Sequence, residues 1–138
     1  NEKDEYLSLA KNLGVQDRCI FIDAVPPKLV PAYEKAIDIL CIPYPDEPHF
    51  IGWGFPMKVY EYMASGQPII YSDLEIIREV LDDCALAFKA NDQNDLVEKI
   101  NMILKDQTLT KHMTQTAFQK VQNYTWKKRV ENILTNLT

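Results

Sequence analysis

Apolar residues recur at helical spacing near both ends of this chain and gather into short runs in its middle. From Glu2 to Leu13, Tyr6, Leu9, Ala10 and Leu13 share a helix face, and Gly14 supplies the stop. Cys19 to Ile22 is a compact apolar run and predicts a short buried strand. Pro26 to Ala36 returns to helix, marked by Leu29, Val30, Tyr33 and Ala36, and Ile37 to Ile42 predicts a second strand closed by Pro43. Tyr44 to Trp53 carries two prolines, a histidine and two acids, and predicts a loop. Pro56 to Ala64 predicts a helix with proline in its first turn, and Pro68 to Tyr71 a strand. Asp73 is positioned to cap a short helix through Leu81, and Cys84 to Phe88 predicts another strand.

Beyond Phe88 the spacing is wholly helical. Asp92 or Asn94 caps a helix with Leu96, Ile100, Ile103 and Leu104 on its face. Thr108 to Val121 predicts the next helix. Thr125 caps the last, whose apolar side is Trp126, Val130, Ile133, Leu134 and Leu137, with Trp126 as its anchor against the core. Short apolar strands alternating with helices predict an α/β fold, a parallel sheet with helices on both faces.

Composition narrows the function classes. A length of 138 residues favours a single domain spanning 1–138. Apolar residues make up 46% and charged ones 25%, the balance of an ordinary globular protein. A net charge of −5 argues against nucleic acid as a partner, because no basic stripe is present to displace counterions. No apolar run is long enough to span a bilayer. Cys19, Cys41 and Cys84 lie in apolar contexts without metal-ligand spacing, which predicts three buried, reduced thiols in a cytoplasmic protein.

The stretch Gly52 to Ile70, GWGFPMKVYEYMASGQPII, carries the candidate chemistry. Gly52 and Gly54 let backbone approach a ligand. The free backbone N–H groups near Phe55 to Lys58, on either side of Pro56 and including Met57, lie at a helix start, where they and the helix dipole suit a phosphate. Lys58 and Glu61 are three apart and share a helix face. Lys58 adds positive charge there, and the Glu61 carboxylate can accept hydrogen bonds from paired hydroxyls such as those of a ribose. The competing reading is an ordinary surface ion pair between them, worth about 0–1 kcal/mol. No Asp-x-Asp metal motif is present, and Asp82 and Asp83 are expected to be solvated at a helix end. His49 lies in the loop and His112 on a predicted helix surface, with no nucleophile grouped beside either.

KVYEYMASGQPIIYSD, followed by the REVL of Arg78 to Leu81, resembles the donor-binding segment of family 4 retaining glycosyltransferases. CIFIDAVPPKLVPAYEKAIDILCIP, from Cys19, is similar to the strand, loop, helix and strand that precede it in that family. NDLVEKINMILKD and NYTWKKRVENIL are similar to its closing helices. The resemblance covers nearly the whole chain. It implies most of the C-terminal, Rossmann-like domain of a two-domain GT-B enzyme. The acceptor domain and two strands with a basic pair would lie outside this sequence, so the chain alone should bind donor weakly and catalyse nothing.

The resemblance further implies that Glu61 binds the ribose hydroxyls of a nucleotide sugar. It places Gly54, Phe55, Pro56, Met57 and Lys58 near the diphosphate, and Asp23, Ala24 and Val25 near the base. Two departures stand out. Asp23 replaces the usual glycine, and Trp53 stands where many members carry a second glutamate. No catalytic residue is assigned. The implied reaction moves a sugar from a nucleotide diphosphate to the hydroxyl of a glycan or lipid-linked acceptor, in polysaccharide or glycolipid synthesis, with no metal or other cofactor. The implied location is cytoplasmic, with peripheral contact at the inner face of the membrane open to the full-length protein. A non-catalytic nucleotide-binding or interaction module of the same fold is the alternative.

Overall fold

The computed structural model describes residues 2–47 and 57–135. The chain divides into two compact units, Asn1–Val30 and Pro31–Thr138.

The first unit holds helix α1, Glu2–Asn12, with three acids in its first turn and Lys11 in its last, which complements the helix dipole. Gly14, at φ +65°, ends it in a left-handed conformation that other residues adopt only with strain. The expected strand at Cys19–Ile22 does not form. Cys19 has extended backbone angles, yet no described segment pairs with it, and Ile20 is 87% exposed. Extended backbone becomes a strand only through a neighbour's hydrogen bonds, so apolar sequence alone did not decide the outcome. The predicted helix from Pro26 resolves into a 3-10 turn, Pro27–Leu29, and helix α2, Val30–Lys35.

The second unit carries a parallel sheet in the order β1 (Leu40–Ile42), β2 (Ile69–Ser72), β3 (Leu86–Phe88). Leu40, Cys41 and Ile42 face Ile69, Ile70 and Tyr71 in register, and Ile70, Tyr71 and Ser72 face Leu86, Ala87 and Phe88. The central strand β2 is buried along its length, because side chains alternate between two covered faces. On one face Ile42, Ile69 and Tyr71 pack with Val59 and Met63 of α3 (Lys58–Ser65) and Ile77 and Leu81 of α4 (Glu75–Leu81). On the other, Ile70 and Phe88 pack with Ile103 of α5 (Gln93–Lys105) and Met113 of α6 (Gln107–Val121). Helix α7, Trp126–Thr135, completes the described chain. This is the α/β architecture that the spacing predicts, helices on both faces included.

Several local expectations change. Asp73 does not cap α4. Its carboxylate accepts from Arg78 Nε at 2.7 Å, while Leu74 holds the cap position without a side-chain bond. Asp92, rather than Asn94, caps α5 by accepting from the N–H groups of Asn94 and Asp95. Asp82 and Asp83 are exposed at the end of α4, as expected, and Asp83 is in addition ion-paired to Lys120 of α6. Thr125 caps α7 as predicted, accepting from the Lys128 N–H at 3.2 Å. Trp126, however, is 74% exposed and anchors nothing in the core, and α7 buries none of its residues. Of the three thiols, Cys84 is buried and Cys41 half-buried, but Cys19 is exposed on the unpaired segment.

Candidate functional site

Helix α3 follows the carboxyl end of β1, the side on which open parallel sheets bind ligands. Val59 and Met63 are fully buried and fix the helix against the sheet. Met57 holds the N-cap position, and among the described residues no side chain caps this end. The first amides of an α-helix have no carbonyl of their own helix to bond, so this end presents donors. Lys58 and Glu61 are both exposed, on the face turned away from Val59 and Met63. No ion pair joins them among the described residues, so the competing surface-pair reading is not what the structure shows. Gly66, at φ +78°, closes the helix, and Ser65 Oγ donates to the Tyr62 carbonyl at 2.7 Å.

Gly54, Phe55 and Pro56 lie outside the described residues, as do Trp53 and His49. Asp23, Ala24 and Val25 belong to the first unit and Glu61 to the second. Asp23 is ion-paired with Lys3, which holds its carboxyl below the usual carboxylate range. Ala24 is exposed and Val25 half-buried. His112 lies exposed on α6, as predicted.

One group escaped the sequence reading. Glu34, on α2, is only 8% exposed. Burial raises its carboxyl above the usual range, and the neighbouring charge of Glu61 raises it further. Its signal was the i, i+4 spacing from Val30, which puts it on the same face as an apolar mark. Tyr62 of α3 is half-buried near both carboxylates, and its hydroxyl is raised chiefly by burial and next by Glu34. The Glu61 carboxylate therefore stands beside a second, sequestered carboxyl.

The start of α3 also borders a cavity of about 640 Å³, walled across from Met57 and Tyr60 by Tyr124, Trp126 and Arg129. The Tyr60 and Tyr124 rings lie 4.8 Å apart, and the Arg129 guanidinium sits 5.7 Å from the Trp126 ring centre. Among the described residues, no group of three or more His, Cys, Asp or Glu side chains could hold a metal ion.

A family model described as Glycosyl transferases group 1 matches residues 1–120. The chain is 23% identical over 133 residues to a D-inositol 3-phosphate glycosyltransferase of Nocardia farcinica, covering 95% of this chain and 28% of that protein. It superposes on sucrose-phosphate synthase from Thermosynechococcus elongatus with a TM-score of 0.81 at 21% identity, over 99% of this chain and 34% of the other. It also superposes on Anabaena Alr3699/HepE, solved in complex with UDP-glucose, with a TM-score of 0.78 at 16% identity. That match covers 96% of this chain and 36% of the other. The chain thus spans about a third or less of the length of these relatives, and the two superpositions speak to the fold.

Proposed function

The chain belongs to the Glycosyl transferases group 1 family, and from that membership we propose that it is the donor-binding part of a retaining, family 4 glycosyltransferase. The observation that carries this reading is the start of α3, where an end that no described side chain caps, an exposed Lys58 and an exposed Glu61 lie within four residues on one helix. In the proposed complex, the amides around Phe55 to Lys58 and the Lys58 ammonium hold the diphosphate, with Gly54 allowing close approach. Glu61 accepts hydrogen bonds from the ribose hydroxyls.

The bond from the anomeric carbon to the diphosphate oxygen breaks, and a bond to an acceptor hydroxyl oxygen forms. Negative charge grows on the departing diphosphate, and fixed donors at a helix terminus stabilise such charge without reorganising. Lys58 and these amides carry that task in place of a metal. The acceptor is a glycan or a lipid-linked sugar, met through residues beyond this chain, in polysaccharide or glycolipid synthesis. We place the reaction in the cytoplasm, with peripheral contact at the inner membrane face. No helix among the described residues is long and apolar enough to cross a membrane.

Calorimetric titration of the full-length protein with UDP, GDP and UDP-glucose tests the reading. One of these should bind, and Glu61→Ala should weaken it roughly ten- to a hundredfold, the scale of losing hydrogen bonds to a charged group. Absence of binding by any nucleotide, with Glu61→Ala changing nothing, would leave the non-catalytic module as the better description.

A further inference from the structure

A second cavity, of about 390 Å³, opens where all three strands end. Tyr44 follows β1, Ser72 ends β2, Phe88 ends β3, and Asn91, Asp92 and Gln93 form the turn into α5. None of these residues belongs to the donor site described above. Ser72 is 1% exposed, and its hydroxyl has no hydrogen-bond partner among the described residues. A buried hydroxyl left unpaired is destabilising, so a ligand that bonds it answers a standing deficit. Asn91 is the one described non-glycine residue with positive φ, at 63°. Such backbone strain gathers where a side chain must be aimed.

The walls also state what the cavity should refuse. Among the described residues they contain no lysine or arginine and one carboxylate, Asp92. That carboxylate already engages the first amides of α5, accepting from Asn94 and Asp95 at 3.1 Å each. Among the described residues, neither a cation nor a free helix end remains for a phosphate. A hydroxyl, two carboxamides and aromatic walls suit a neutral ring rich in hydroxyl groups.

We propose that this cavity is a subsite for one neutral sugar residue, bound through the Ser72 hydroxyl and the Asn91 and Gln93 side-chain amides against Tyr44 and Phe88. The choice of ligand class rests on the sugar-transfer reading, and the test lets the two fail separately. The full-length protein is titrated with glucose, galactose and N-acetylglucosamine by saturation-transfer NMR, and with UDP and UDP-glucose by calorimetry. Ser72→Ala removes an unpaired hydroxyl and Asn91→Gly relieves a strained position, so both variants should fold.

Each variant should weaken sugar-dependent binding about three- to tenfold, the scale of one hydrogen bond, and leave UDP affinity unchanged. A loss seen with free sugars assigns the subsite to the acceptor side. A loss confined to UDP-glucose assigns it to the donor's hexose. Sugar-dependent binding that is equal in wild type and both variants overturns the proposal, as does its complete absence while UDP binds; the donor reading survives either result. Free-sugar binding that falls in the variants while no nucleotide binds supports the subsite and overturns the donor reading.

Discussion

Glu34 and Glu61 are two glutamates on neighbouring helices in opposite situations. Glu61 faces solvent, while Glu34 is buried without a hydrogen-bond partner for its carboxylate among the described residues. A carboxyl whose folded pKa is raised binds more protons in the native state than in the unfolded chain. Stability then falls as pH rises from the usual carboxylate range through the elevated native value. Glu34→Gln should remove that slope, because the amide has the same shape and no charge to desolvate. At pH 8 the variant should gain about 1 kcal/mol, a Tm higher by about 2–4 °C. Thermal melts of both proteins from pH 4 to 8 measure this, and parallel curves would show that the Glu34 charge is already well solvated. At the other carboxylate, Glu61→Gln keeps the shape but loses the stronger, charge-assisted bonds, so nucleotide binding should weaken with no loss of Tm.

The elements separate what is written locally from what is not. Gly14 at φ +65°, Thr125 at the start of α7 and Asp92 at the start of α5 are legible, because each acts within four residues of its own position. The spacing predicts α6 only from Thr108, and Asp106 lies outside that stretch. It caps the helix by accepting from the Leu109 N–H at 2.8 Å. Asp106→Ala should cost about 1 kcal/mol in urea denaturation, the usual value of a lost N-cap. Asp73 looked equally suitable as a cap, yet Arg78 on the same short helix took its carboxylate. The stripe on α7 was legible as a stripe but not as exposed, because spacing defines a face without naming what covers it. Val130→Ser and Ile133→Ser should each change the stability of this chain by less than about 0.5 kcal/mol. A larger loss would mean that α7 packs more tightly than its exposure implies.

Across the molecule, the α/β class followed from alternation alone, because a central parallel strand must be apolar on both faces. The candidate site was legible in part. Lys58 and Glu61 do share an exposed face, whereas the buried Glu34 and the Ser72 cavity depend on residues far apart in sequence. The segment Cys19–Ile22 was misread for the same reason that α7 was: its fate depends on a neighbour that its own residues do not encode. Both apolar clusters are built entirely from residues of the second unit. Residues 31–138 expressed alone should therefore keep a single cooperative thermal transition by circular dichroism. A gradual, featureless melt would place essential core contacts in the first 30 residues.

The three thiols stand at graded depths. Cys19 is exposed, Cys41 is half-buried on one face of β1, and the Cys84 thiol, within the cluster on the opposite face, is pushed up to about 12 by burial. Alkylation requires thiolate and access together. Iodoacetamide should therefore mark them in sequence, Cys19 first, Cys41 through brief local openings, and Cys84 only when the molecule comes apart. Mass spectrometry of the labelled peptides would turn the protein into its own clock for how, and in what order, its layers open.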